Sequence, residues 1–132
     1  MKTTILNSLK TLETHLQKEI EIRKQIYFEL NQYIAENAEF QTGDKVNIYD
    51  IDTNKFVGVG IVGNIKHILH STLFLDYIKY TINPKNFDNI ISCIKYEMFA
   101  IKKDGEKSNN HLFTKSPYIS NNDKDLRIEK MN

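Results

Sequence analysis

The sequence predicts an α+β chain: a long N-terminal amphipathic, coiled-coil-like helix, then a small β-barrel of four to five strands and a polar C-terminal tail. Three observations carry this. Apolar residues recur every three or four positions over residues 4–37, the period drops to two from residue 40, and apolar anchors thin out after residue 114. The implied organisation is a helix for oligomerisation or docking at 1–38, a barrel at 39–114 and a tail at 115–132. At 132 residues, 40% hydrophobic and 27% charged, the chain suits one modest core, and no apolar run is long enough to span a membrane.

The helical segment contains no Gly or Pro, and Ile5, Leu9, Leu12, Leu16, Ile20, Ile26 or Tyr27, Leu30, and Tyr33 or Ile34 mark one stripe. At 1.5 Å per residue such a helix is about 50 Å long, more than a small barrel can cover. The step from Leu16 to Ile20 breaks a strict heptad and reads as a stutter that locally unwinds a supercoil. Glu13, Lys18, Glu19, Glu21, Arg23, Lys24 and Glu29 supply a solvated face of mixed charge. Self-association or docking to a partner helix through Leu9, Leu12, Leu16, Ile20 and Leu30 is expected, the plainer alternative being a helix packed on its own domain.

Val46 and Ile48 alternate with Lys45, Asn47 and Tyr49, predicting a first strand over 45–49 with one buried face. Asp52, Thr53 and Asn54 supply a turn before a glycine-punctuated second strand over 56–65. A third strand is predicted over 73–82, ended by Asn83 and Pro84. A fourth runs over 90–102 with Ile91, Cys93 and Ile94 near its buried side, then a turn at Lys103, Asp104 and Gly105 and a short closing strand at 111–114. The tail has Asn121, Asn122 and Asp123 at its middle and is expected to be disordered alone, with Tyr118, Ile119, Leu126 and Ile128 available to dock on a neighbour.

The run Phe40-Gln41-Thr42-Gly43-Asp44-Lys45-Val46-Asn47-Ile48, followed by Gly58-Val59-Gly60-Ile61-Val62-Gly63-Asn64-Ile65, resembles the opening of SH3-like small barrels, including KOW and Tudor-type modules. The resemblance implies a Gly-Asp turn into the first strand and a second strand that bends sharply across the barrel. It implies little about function, because such barrels bind nucleic acid, peptides or other subunits. Residues 66–71 and the segment around Phe87 exceed a minimal barrel, and no residue set matches a methyl-lysine aromatic cage.

Gly58, Gly60 and Gly63 spell the dinucleotide pattern G-x-G-x-x-G, but Val59, Ile61 and Val62 between them are strand formers and no helix start follows. Structural glycines at a barrel bend are expected instead. His67 and His70 would share a face of a helical turn, yet Asp76 and Cys93 complete no diagnostic metal spacing. Cys93, among Ile90, Ile91 and Ile94, reads as a buried, inert thiol. Asp44, Asp50, Asp52, Asp76 and Glu97 form no acid–base pair recognisable from spacing. Tyr49, Tyr77 and Tyr80, with Lys45, Lys55 and Lys79, form a candidate barrel binding surface for bases or a peptide, against the alternative of aromatic packing at the barrel ends.

Charge narrows the partners. There are 18 basic and 17 acidic residues, evenly spread, and only Arg23 and Arg127 are arginines, which argues against a polycationic nucleic-acid face. A single cysteine forms no internal disulfide, and no apolar h-region follows Met1 and Lys2, so an intracellular protein is expected: cytoplasmic, or a virion component if phage-encoded. The 18 Ile, 16 Lys and 14 Asn match AT-rich coding, as in many bacterial or phage genomes. The expected function is a non-enzymatic structural or protein-interaction module, such as a component of a phage or bacterial assembly. It would need no cofactor, metal or membrane and would form a homo-oligomer or bind a partner protein through the N-terminal helix. The alternative is a nucleic-acid-binding or regulatory small barrel.

Overall fold

A computed structural model describes residues 1–116 and 126–131. The elements are α1 (Lys2–Asn37), β1 (Lys45–Asp50), β2 (Phe56–His67), a 3₁₀ helix (Ile68–Ser71), α2 (Leu75–Ile82), α3 (Pro84–Ile91), β3 (Ile94–Ile101), β4 (Lys107–Lys115) and β5 (Leu126–Lys130). A long N-terminal helix thus precedes a five-stranded antiparallel sheet, in the order β4-β3-β2-β1-β5.

With 36 residues and neither Gly nor Pro inside it, α1 extends for about 54 Å. Ala38 leaves it in an extended conformation, and the next residue is anchored across the fold, where the Glu39 N–H donates to the Tyr96 hydroxyl at 2.8 Å. Gly43 then takes φ 93°, a left-handed conformation suited to glycine, and Asp44 Oδ2 accepts the Gln41 N–H at 2.8 Å to close the turn into β1.

The twelve-residue β2 serves both halves of the sheet. Its first part pairs with β1 from Tyr49↔Phe56 to Lys45↔Ile61, and its second with β3 from Ile61↔Phe99 to His67↔Ile94. The register shifts between Val62 and Ile65, which bends the strand. Gly63 lies at that shift: a Cβ there would come within 2.4 Å of Phe99 Cε2, so the ring passes where only hydrogen fits. The inward residues of the strands, Val46, Ile48, Val62, Ile94, Tyr96, Met98, Phe113 and Ile128, form the main core with Ile34 and Phe40. No pairing joins β4 to β5 among the described residues, so these strands are the two sheet edges. At one end the edges nevertheless meet, Lys115 Nζ donating to the Leu126 carbonyl at 2.8 Å.

The structure departs from the sequence reading in three places. Residues 73–82, predicted as a strand, contain α2: Asp76 in its first turn and Lys79 in its last complement the helix dipole, and Thr81 Oγ1 donates back to the Tyr77 carbonyl at 2.8 Å. The predicted strand over 90–102 begins later, because Ile90 and Ile91 finish α3 and β3 opens at Ile94. Leu126–Lys130, expected to be disordered alone, pairs with β1 from Asp50↔Leu126 to Val46↔Lys130 and buries Ile128. Tyr118, Ile119, Asn121, Asn122 and Asp123 lie outside the described residues.

Candidate functional site

Arg23 is where α1 reaches the rest of the chain, its Nη2 donating to the Leu73 carbonyl at 2.8 Å. Beyond it, Tyr27 lies 5.7 Å from the His70 ring and Tyr33 meets His67 edge-on. Leu30 is 4% exposed and packs with Leu69 and Ile90 in a second small cluster. This corrects Leu30 as an interface residue, since its side chain is consumed inside its own fold. The other four expected interface residues stay uncovered: Leu9 is 58% exposed and Ile20 45%, with Leu12 and Leu16 between these values. Ile5, one turn before Leu9, is exposed as well. Residues 2–22 therefore make an overhang of about 32 Å with an apolar stripe along it.

A separate groove of about 310 Å³ lies between α1 and the start of α2, lined by Ile22, Ile26, Leu73 and Ile78 together with Lys18 and Glu19. Beyond it α2 carries a row of aromatic rings, Phe74 lying 5.7 Å from Tyr77 and Tyr77 6.1 Å from Tyr80. Exposed Leu75, Ile82 and Phe87 add to the same pair of short helices.

The candidate barrel surface does not come together as one site. Tyr49 packs edge-on against Phe56 at 5.9 Å and beneath the Arg127 guanidinium at 4.5 Å. Tyr77 and Tyr80, with Lys79, sit instead on α2. Lys45 and Lys55 are exposed, and Lys45 Nζ reaches over Gly105. Arg127, unassigned by the sequence reading, engages Tyr49, Asn54 and Glu129, so the ring face best placed for stacking is already covered by the chain's own cation.

His67 and His70 are brought together, but for structure. His67 is fully buried; its Nδ1 accepts the Leu69 N–H at 3.0 Å, which leaves Nε2–H to donate to the Ile91 carbonyl at 2.8 Å. Neither ring nitrogen is left for a metal. His70 Nδ1 accepts the His67 N–H at 2.9 Å, so the two histidines cap the 3₁₀ helix reciprocally. Burial holds both rings below the ordinary histidine range, and nearby Lys95 adds to the effect. Among the described residues, no group of three or more His, Cys, Asp or Glu is placed to hold a metal ion.

The remaining groups have structural employment. Cys93 is buried, its Sγ 3.1 Å from the Asn89 carbonyl. The Gln41 N–H, with Lys130 beside it, holds the Asp44 carboxyl below the usual range, and the Thr53 N–H does the same for Asp50. The G-x-G-x-x-G residues all lie within β2, not at a turn opening a helix. No helix among the described residues is long and apolar enough to cross a membrane. No family model, curated protein or solved structure matches the chain.

Proposed function

We propose that the protein is a non-enzymatic interaction module that associates through the overhanging part of α1, either with a second copy or with a helix of a partner protein. The observation that carries this reading is the uncovered stripe of Ile5, Leu9, Leu12, Leu16 and Ile20 on a helix whose other end is built into its own core at Leu30 and Ile34. An isolated helix of about 20 residues is marginal in water, and a buried Leu or Ile side chain is worth about 1.5–3 kcal/mol, so covering the stripe stabilises helix and complex together.

In the same proposal the sheet is an SH3-like barrel acting as the body that the helix ties into an assembly. Support comes from the return of β5 to the side of β1, the bend of β2 at its register shift, and the bridge from Lys115 to Leu126. The chain would work in the cytoplasm, or in a virion if phage-encoded.

Light-scattering mass measurements test the reading. The wild-type chain is expected to be larger than a monomer at tens of micromolar, or to become so with its partner. Leu12→Asp together with Leu16→Asp should reduce it to monomer while the sheet stays folded, because two carboxylates cannot be desolvated cheaply in an apolar seam. A wild-type chain that stays monomeric and binds nothing through α1 refutes the proposal.

A further inference from the structure

A cleft of about 750 Å³ is lined by residues of β2, β3 and β4, with the 3₁₀ helix and α1 beside them. Its floor holds a pairing that the fold alone does not explain. Lys66 and Lys95 are directly opposite each other across β2 and β3, an arrangement that disfavours the sheet because like charges face each other. Glu97 answers only one of them: its Oε1 lies 3.4 Å from Lys66 Nζ, and its Oε2 accepts from Asn64 Nδ2 at 3.3 Å. Lys95 is half-buried, and no carboxylate among the described residues pairs with it.

The walls are rich in donors. Since His70 Nδ1 accepts a backbone N–H, its Nε2 carries the hydrogen in the neutral ring. Asn31, Ser71 and Thr114 add side chains able to donate. Among the described residues Glu97 is the one carboxylate lining the cleft, and it already has a partner on each oxygen. A half-buried cation without a counter-ion among the described residues, a second lysine beside it and neutral donors around them complement a compact oxyanion of more than one negative charge. The volume falls in the range of small-molecule pockets and exceeds what a bare ion fills.

We propose that this cleft binds the phosphate group of a phosphorylated small molecule, with Lys95 and Lys66 as its cationic contacts and the His70 Nε2–H as a donor. The site is separate from the apolar stripe of α1 and does not depend on what that helix binds.

The test is an NMR titration of the full chain at pH 7 and low salt with inorganic phosphate, and then with glycerol phosphate. Saturable shifts are expected for the amides of residues 66–71 and 95–97, with apparent affinity at least about tenfold weaker in Lys95→Gln and unchanged in Lys55→Gln. Lys66→Gln, in which Lys95 remains, should weaken binding by less. Removing the like charge should also leave Tm of Lys95→Gln equal to or above that of the wild type. Three results overturn the proposal: no localised shifts, an unaltered affinity in a folded Lys95→Gln, or equal saturation by chloride. Much tighter binding of a single-stranded oligonucleotide through the same residues would overturn the small-molecule assignment in favour of a nucleic-acid backbone.

Discussion

His67 shows how a single side chain can look chemical in sequence and be architectural in the fold. Its spacing from His70 is visible in the sequence, and so is the idea that the two share a turn. What spacing cannot convey is that the ring's two nitrogens are taken by the Leu69 N–H and by the carbonyl of Ile91, 24 residues further on. A second N–H hydrogen, on Nδ1, would face the Leu69 N–H, so the folded chain favours neutral His67, and its ionisation is depressed by burial with His70 and Lys95 nearby. The unfolded chain takes up that proton near pH 6.5. Stability from this source is therefore complete above about pH 6.5 and declines as the pH falls below it, because the unfolded state then binds more protons than the folded one. Tm recorded between pH 8 and 5 should fall on the acid side. His67→Gln, although less stable throughout, should have a shallower slope; an equal slope would mean that other groups, His70 first, control the window.

At the scale of elements, α1 divides at Arg23 into a part supported by the fold and a part that is not. Leu30→Ala should lower the stability of the isolated chain by about 2–5 kcal/mol, because it opens a cavity between Leu69 and Ile90. Leu9→Ala, at a site without such neighbours, should leave that stability nearly unchanged. Denaturant melts of the two variants measure the difference, and similar losses would mean that the overhang is packed in solution. The helix itself was legible because apolar residues at three- and four-residue steps run from Ile5 to Ile20 and resume from Ile26 to Ile34, with no Gly or Pro between. The same stripe could not show which part is covered by the chain, since Leu9 and Leu30 are equivalent in periodicity and differ only in what lies across from them. The second strand was legible from β-branched residues between glycines. Residues 75–82 misled for the same reason: Tyr77, Ile78, Tyr80, Thr81 and Ile82 favour strands locally, and packing of Tyr77 beside the Leu30 cluster overrides that preference. The better clue was Asn83-Pro84. It reads as the end of a strand but forms the cap and first residue of α3, where Asn83 Oδ1 accepts the Lys85 N–H at 3.0 Å.

Across the whole molecule, the sheet depends on a strand that sequence composition had assigned to a tail. β5 supplies the outer hydrogen-bonding partner of β1, and opposite Ile48 it places Ile128 in the core shared by Val46, Tyr96 and Met98. Only Leu126 and Ile128 alternate inward over this short stretch, too brief a pattern to stand out in a polar segment, so its pairing with a strand some eighty residues earlier was not legible. If β5 is integral, Ile128→Ala removes buried methylene and methyl groups from an otherwise closed layer and should cost about 2 kcal/mol, at the low end for such changes because the site lies on an edge strand. For a chain of this size that corresponds to a drop in Tm of about 5–10 °C. Lys130→Ala, which removes only an exposed ion pair with Asp44, should change stability by less than about 1 kcal/mol. Hydrogen exchange gives a second readout: amides of β1 should lose protection in Ile128→Ala while those of β3, two strands away, keep theirs until global unfolding. Were β5 only an adhering tail, Ile128→Ala would melt with the wild type and β1 would already exchange rapidly in the unaltered protein, because a strand left at the edge offers its N–H and C=O groups to water.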